Sequence, residues 1–450
     1  MTEVPDYDYE YTAEQTTQFV TGMVGEVYPD SSWSIDVPHT GWVKYAVTDL
    51  PAGLKAYVSK GGSSVKVTGK FTNVLEGHTA TLTATDEAGK TYTKKYVFFV
   101  GDKNRLVGTV IPQDRLAYVP ASGQKRSDYP ATGLNIESYV NGINGSYNDY
   151  VRDVNGTKII IAGGSGNYKY ELTKVSDVLG AYDEDQDFVA KKDADQKMTA
   201  VPAGTYPFTL TVTDRNNDAL VGSINYNLNL VDGVTLSGTV KDAAGVPAKY
   251  VSIYGTTKSD QYERSYSIYA ETKADGTYRT RVMPGDYQMY TQVGGVQSNI
   301  SVGNVLSAGT ATKDFAIPQY CVKFTTNIAG AGAYSDDTYS DSYSTSTYVR
   351  LIDAYGNYST VYVDEATDFG MYAYLRAGSY ELVPANEGST TNTIFAYKKY
   401  TTEKNIYGED IPYIDSNDLI GRYTLSGGAF NVAGNTTVAL TGTEYKSSND

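Results

Sequence analysis

His39 and His78 are the only imidazoles in the chain. They lie in Val37-Pro38-His39-Thr40 and Glu76-Gly77-His78-Thr79, with no second His or Cys at ligand spacing. A zinc site or a His-based triad therefore lacks its partners, and both residues read as solvated turn histidines. Gly89-Lys90-Thr91 imitates the end of a P-loop, yet Ala84 stands where the first glycine is required. Gly163-Gly164-Ser165-Gly166 lacks the closing glycine of a nucleophile elbow, and no helical pattern follows it. The residue types for catalysis are present only in isolation.

Oxygen-rich turns are the better inorganic candidates. Asp183-Glu184-Asp185-Gln186-Asp187, Asp214-Arg215-Asn216-Asn217-Asp218 and Asp415-Ser416-Asn417-Asp418 cluster the carboxylate and amide oxygens that Ca²⁺ takes, about six to eight of them. Asp214, Asn216 and Asp218 are the calcium candidates; none of the turns follows an EF-hand loop, and plain solvated turns are the competing reading. Aromatic rings supply a second kind of chemistry. Tyr334, Tyr339, Tyr343 and Tyr348 lie in a Ser/Asp/Thr-rich stretch, and Tyr139, Tyr147 and Tyr150 in another loop-rich one. A ring beside a carboxylate can stack on a sugar face and hydrogen-bond its hydroxyls. Sheet-face packing is the alternative. Trp33 and Trp42 fall in strand-like surroundings, where core packing is expected.

Whatever these side chains do, strands must hold them. Helical periodicity is almost absent, and period-2 alternation recurs. Thr79-Ala80-Thr81-Leu82-Thr83-Ala84-Thr85 alternates, as does Phe208-Thr209-Leu210-Thr211-Val212-Thr213. Ile224, Tyr226, Leu228 and Leu230 point one way, with Asn225, Asn227 and Asn229 the other. Such strands have one dry and one wet face, as in antiparallel sandwiches. Asp/Gly turns separate them: Asp86-Glu87-Ala88-Gly89, Asp242-Ala243-Ala244-Gly245, Asp275-Gly276 and Asp353-Ala354-Tyr355-Gly356. Asp caps such a turn through its side chain, and Gly takes the positive φ.

A larger unit recurs as Ala203-Gly204-Thr205-Tyr206, Pro284-Gly285-Asp286-Tyr287 and Ala377-Gly378-Ser379-Tyr380, with Glu76-Gly77-His78-Thr79 a degenerate copy. The Tyr packs under the corner as a tyrosine corner does. One copy per domain divides the chain into an acidic Tyr-rich tail or edge strand (1–26) and domains at 27–102, 107–231, 233–317 and 319–450. Linkers such as Val231-Asp232-Gly233 and Ile317-Pro318-Gln319 are short, which implies a semi-rigid rod.

Residues 233–317 run Gly238-Thr239-Val240-Lys241-Asp242-Ala243-Ala244-Gly245-Val246-Pro247, then Val251-Ser252-Ile253-Tyr254, Asp275-Gly276-Thr277-Tyr278 and Pro284-Gly285-Asp286-Tyr287. This order resembles the carboxypeptidase-regulatory-like domain, a transthyretin-like sandwich related to Cna B-type modules. Residues 259–269 are an insertion against that pattern. Leu50-Pro51-Ala52-Gly53-Leu54 with Val67-Thr68-Gly69 resembles bacterial immunoglobulin-like domains. The Cna B resemblance also implies intramolecular isopeptide bonds, with Lys323, Glu381 and Asn435 as lysine, acid and amide; Pro384 stands where the family's acid is usual. Three ordinary surface residues are the alternative.

The fold expected is all-β, in tandem immunoglobulin-like/transthyretin-like β-sandwich domains. The 52 acidic against 37 basic residues, net −15, repel phosphate backbones and leave no basic patch for nucleic acid. The single Cys321 excludes an internal disulfide. No apolar run reaches the roughly 18–20 residues of a membrane helix. Residues 1–5 have no basic n-region or apolar h-region, so an exported form is read as a mature fragment. The resemblances imply a non-catalytic segment of a bacterial cell-surface or secreted protein, serving adhesion, display or a fibre. Its partners would be an extracellular protein, a glycan or copies of itself, with Ca²⁺ the one candidate cofactor. A carbohydrate-binding accessory protein using exposed Tyr is the alternative. An extracellular hydrolase would need a convergent acid pair that the sequence does not reveal.

Overall fold

A computed structural model of the chain describes residues 15–117 and 151–445, apart from 36, 38–41, 60–61, 63, 155–156, 174–178, 182–187, 191–201, 294–295, 308, 336–347, 364–370, 384–391, 399, 405–409 and 415. Its described elements are β-strands with one 3₁₀ turn at Ser416–Asp418, so the protein is all-β.

The alternation read in the sequence is the reason. In the strand Leu75–Thr85, Ala80, Leu82 and Ala84 are fully buried, while the intervening threonines line the other face. The strand runs antiparallel to Thr91–Gly101. Its sheet continues to Lys44–Thr48 on one side and Gln15–Met23 on the other. A second sheet of Val27–Trp33, Val65–Lys70 and Leu54–Val58 closes the sandwich. Trp33 fills the space between them, stacked on Tyr96 at 3.6 Å between centroids. Trp42 does not join it: 60% of its surface is exposed, which corrects the expectation of core packing. His78 also differs from expectation. It lies within the strand Leu75–Thr85, beside a bulge, and its Nε2 is 2.7 Å from the Asp49 carbonyl.

The second sandwich sets Val151–Val154, Thr157–Ala162 and Val107–Ile111 against Tyr168–Thr173, Gly204–Asp214, Asn217–Val231 and Arg115–Leu116. The third sets Thr277–Val282, Val234–Lys241 and Gly309–Thr312 against Ser267–Glu271, Ser252–Thr257, Gly285–Val293 and Val296–Leu306. In the fourth, Tyr320–Thr326 lies between Met371–Leu375 and Thr436–Glu444, around Val322, Phe324, Leu351, Ile394 and Leu440.

One pairing repeats in all four. A strand near the start of each module lies parallel to a strand near its end: Gln15–Met23 with Thr91–Gly101, Arg115–Leu116 with Asn217–Val231, Val234–Lys241 with Gly309–Thr312, and Tyr320–Thr326 with Thr436–Glu444. Parallel neighbours cannot be joined by a hairpin, so the chain between them must cross to the opposite sheet and back. That crossing makes each module a sandwich. Residues 15–23, within the stretch expected as a tail or edge strand, form the edge strand of the first module's sheet.

The turns follow their residues. At Asp86, Asp242 and Asp353 the carbonyl accepts the N–H of the residue three on, and the carboxylate accepts the N–H four on. Gly89, Gly245 and Gly356 hold φ of 82°, 79° and 85° at the third step, where a side chain is strained. The tyrosine corners share one geometry. Tyr206, Tyr287 and Tyr380 donate their phenol O–H to the carbonyl four residues back, on Pro202, Met283 and Arg376, at 2.8, 2.9 and 3.1 Å.

Candidate functional site

The described residues contain no group of three His, Cys, Asp or Glu side chains arranged to hold a metal. Asp214, the first calcium candidate, is a buried residue at the end of its strand. Its carboxylate accepts the Ser165 N–H, the Ser165 hydroxyl at 2.8 Å and the Asn216 N–H at 2.8 Å. Burial pushes this carboxyl up, and the donors on Ser165, Asn216 and Asn217 outweigh it, so its pKa lies below the usual Asp value. The glycines of Gly163-Gly164-Ser165-Gly166 form this cradle. A Cβ on Gly164 would meet Asp214 Oδ2 at 2.1 Å, and its φ is +59°. Asn216, on the turn beyond, and Asp218, in the strand Asn217–Val231 that follows, are exposed. The motif that imitated a nucleophile elbow is thus a carboxylate holder, and a cation would have to displace N–H donors to reach Asp214.

Asn435 directly precedes the strand paired with that of Lys323, whereas Glu381 does not join them. Lys323 and Glu381 are both exposed, and Met371–Leu375, Tyr358–Val363 and Tyr348–Asp353 separate their strands in sheet order. The Asn435 amide is engaged elsewhere: its carbonyl accepts the Cys321 N–H at 2.9 Å, and its NH₂ donates to Asp242 of the third module at 2.7 Å.

That bond is part of a seam. The Ala243 N–H donates to the Gln319 carbonyl, and the Lys249 N–H donates to the Tyr374 hydroxyl at 2.7 Å. Lys249 lies over the Tyr372 ring at 4.9 Å. Tyr374 and Ile317 are buried in the third module's core cluster, and Gln319 is buried too, so two of the three residues of the supposed linker are interior. Cys321 lies here as a free thiol. Burial pushes its pKa up against the pull of Lys249.

A second seam joins the first three modules. Gly101 packs so closely on Gly163 that an added Cβ would lie 2.5 Å from its Cα. Arg281 of the third module donates to the Ala117 carbonyl of the second. The insertion at 259–269 reaches further. Gln261 accepts the Thr17 N–H at 2.6 Å, and Tyr262 stacks on Phe19 at 5.9 Å, so a hairpin of the third module grips the first module's opening strand. Arg264 holds the hairpin in shape. It donates to Asp260 at 2.9 and 2.7 Å, reaches the Ile111 carbonyl at 3.2 Å and covers the Tyr262 ring at 4.8 Å.

Of the tyrosines proposed for sugar stacking, Tyr334 and Tyr348 belong to the strands Ala333–Ser335 and Tyr348–Asp353. Tyr339 and Tyr343, like Tyr139, Tyr147 and Tyr150, lie outside the described residues. A different aromatic set is assembled on the third module. Tyr254 is directly opposite Tyr269 on one side and Tyr290 on the other. Ring centroids are 5.4 and 5.3 Å apart.

No protein-family model matches the chain, and no curated protein matches it. Among solved structures it is similar to the Bacillus anthracis TIE protein, at 10% identity over 94% of this chain and 74% of that one, with a TM-score of 0.18. A protocadherin gammaB7 EC3-6 structure is similar at 10% identity over 96% and 99%, with a TM-score of 0.17. The major pilin subunit of Bacillus cereus is similar at 10% identity over 67% and 98%, again with a TM-score of 0.17. Scores of this size carry no argument, so the fold rests on the strand pairing above.

The tyrosine row escaped sequence reading although half its signal was present. Ile253, Ile268, Ala270 and Met289 alternate with the tyrosines and are buried, so each ring could be assigned to a wet face. Which rings become neighbours depends on register between strands far apart in the chain.

Proposed function

We propose that the chain is a non-catalytic structural or adhesive segment of a cell-surface or secreted protein, whose modules hold their outer faces in fixed mutual positions. The observation that carries this reading is the grip of the 259–269 hairpin on the first module, through Thr17–Gln261 and Phe19–Tyr262. Beads on flexible linkers would not need a contact that skips a module. A segment that transmits load or presents a composite surface does, because relative motion of its modules would destroy either property. The acidic balance suits it, keeping an extended surface soluble and free of nucleic acid.

Small-angle scattering of the purified chain tests the rigidity, with a profile fitted by one fixed arrangement of modules as the expected result. A profile that requires an ensemble of freely hinged modules removes the reading. Antibody labelling of intact, unpermeabilised cells tests placement, with signal lost after external protease treatment.

A further inference from the structure

We infer that the strand Leu54–Val58 of the first module is a self-association edge, which pairs antiparallel with the same strand of a second copy of this chain. The sheet of Val27–Trp33, Val65–Lys70 and Leu54–Val58 ends on it, and among the described residues no strand pairs with its outer side. Its hydrogen-bonding phase is fixed by its neighbours. The Gly53 carbonyl accepts the Lys70 N–H at 3.1 Å, and the Ser59 N–H donates to the Ser64 carbonyl at 2.9 Å. The odd-numbered residues therefore face Val65–Lys70, and Leu54, Ala56 and Val58 turn their backbone groups outward. The Leu54 N–H is taken by the Pro51 carbonyl at 3.1 Å. That leaves the Leu54 carbonyl and both backbone groups of Ala56 and Val58 along the open edge.

Sheet edges are ordinarily blunted against such pairing by proline, bulges or charge. The opposite edge of this sheet is blunted: Val27–Trp33 carries Pro29 and Asp30 and slips register between Tyr28 and Ser31. Leu54–Val58 has no proline and no bulge, and Lys55 is its one charge. Its position is also clear of the seam. Lys44–Thr48, joined to it by a short turn, is the edge of the other sheet opposite to Gln15–Met23, the strand that the third module grips. Tyr57 and Val58 accordingly keep 54% and 55% of their surface exposed, apolar area that an added strand would cover.

The strand's own sequence complements itself. Antiparallel pairing about a two-fold axis at Ala56 bonds Ala56 to Ala56 in both directions, and each Val58 N–H to the Leu54 carbonyl of the other copy. It sets Lys55 directly opposite Tyr57 on the wet face, twice by symmetry, where an ammonium and a ring attract. Leu54 meets Val58 on the other face. The neighbouring registers of the same parity do worse: one sets Lys55 against Lys55, and the other leaves Lys55 beyond the paired strand. A strand of five residues makes a small contact, so free chains pair weakly, and chains crowded on one surface pair more. This inference is independent of the rigid-array reading: scattering from dilute monomer reads hinging between modules, and sedimentation reads association.

The test is sedimentation equilibrium of the full chain in about 0.15 M salt, which screens the net charge of −15. A reversible monomer–dimer equilibrium is expected, with a Kd between about 10 µM and about 1 mM. A56P removes an N–H that faces the open edge, so it spares the strand's own sheet and should weaken the dimer at least about tenfold. Y57K sets ammonium against ammonium and should also weaken it about tenfold, whereas the swap K55Y/Y57K restores the ring–ammonium pair and should return to within about threefold of the parent. Tyr57 is exposed, so Y57K remains informative if A56P misfolds by circular dichroism. A chain that stays monomeric up to about 1 mM overturns the proposal. So does a dimer that either folded single variant leaves unchanged, or a swap that binds no better than Y57K.

Discussion

The Asn435 side chain bridges two modules: its NH₂ donates to the Asp242 carboxylate at 2.7 Å while its carbonyl accepts the Cys321 N–H at 2.9 Å. Asp242 is itself buried and its other oxygen caps the Asp242–Gly245 turn, so one carboxylate closes a turn and anchors a seam. N435A is expected to cost about 1–2 kcal/mol, since the hydrogen bond to a charged group lies at a partly wet edge. N435D should cost more at neutral pH, because it sets two carboxylates face to face. Urea unfolding of both variants measures the difference.

The same engagement of Asn435 bears on cross-linking. An isopeptide bond from Lys323 would release ammonia and require the amide to leave both of its partners. The intact mass of the purified chain is expected to equal the sequence mass, and a mass lower by one ammonia would contradict the arrangement seen here.

Removing Arg264 should loosen the hairpin that grips the first module. R264A loses two bonds to Asp260, one to Ile111 and the cover over Tyr262, an expected cost of about 1.5–3 kcal/mol. The local readout is the Thr17 amide, which donates to Gln261 across the modules. Its hydrogen exchange should accelerate in R264A, while that of Leu82 in the first module's core stays slow.

Asp214 makes stability depend on pH in a defined direction. Its folded pKa is lowered, so its contribution is present above the ordinary Asp value of about 3.9 and is lost as pH falls through the depressed value. D214N replaces one acceptor oxygen by an NH₂ that confronts the donors of Ser165. The variant should be about 2–3 kcal/mol less stable than the parent at pH 7, with the gap narrowing below about pH 4. Parallel urea titrations at pH 7 and pH 3 check both statements. Adding EDTA at pH 7 is expected to leave the parent's midpoint unchanged, because the carboxylate's partners belong to the protein; a fall would reveal a structural cation.

The tyrosine corners should rank by burial. Y287F deletes an O–H bond beneath a fully buried ring and is expected to cost about 1 kcal/mol, while Y206F, at an exposed corner, should cost only a few tenths. Thermal unfolding of the two variants reads the order.

Much of this architecture is local and was therefore legible. Alternation along Leu75–Thr85 and Gly204–Asp214 declares one dry face, Asp-x-x-Gly declares a turn, and Gly-x-Tyr declares a corner, because each depends on residues within four or five positions. Trp42 shows the limit, since a large apolar residue in strand-like surroundings is exposed beside Glu87, whose carboxylate accepts its N–H at 3.1 Å.

What the tertiary structure decided are relationships between distant strands. The first–last parallel pairing, the Ser165 cradle around Asp214, the Asn435 bridge and the row of Tyr269, Tyr254 and Tyr290 all join residues far apart in sequence. Alternation says which face a side chain takes, but a strand can meet its neighbour in any register of the same parity, and each register brings different side chains together. Only the closed packing of the modules selects one, and the selection makes an insertion a clamp and three separate tyrosines a packed row.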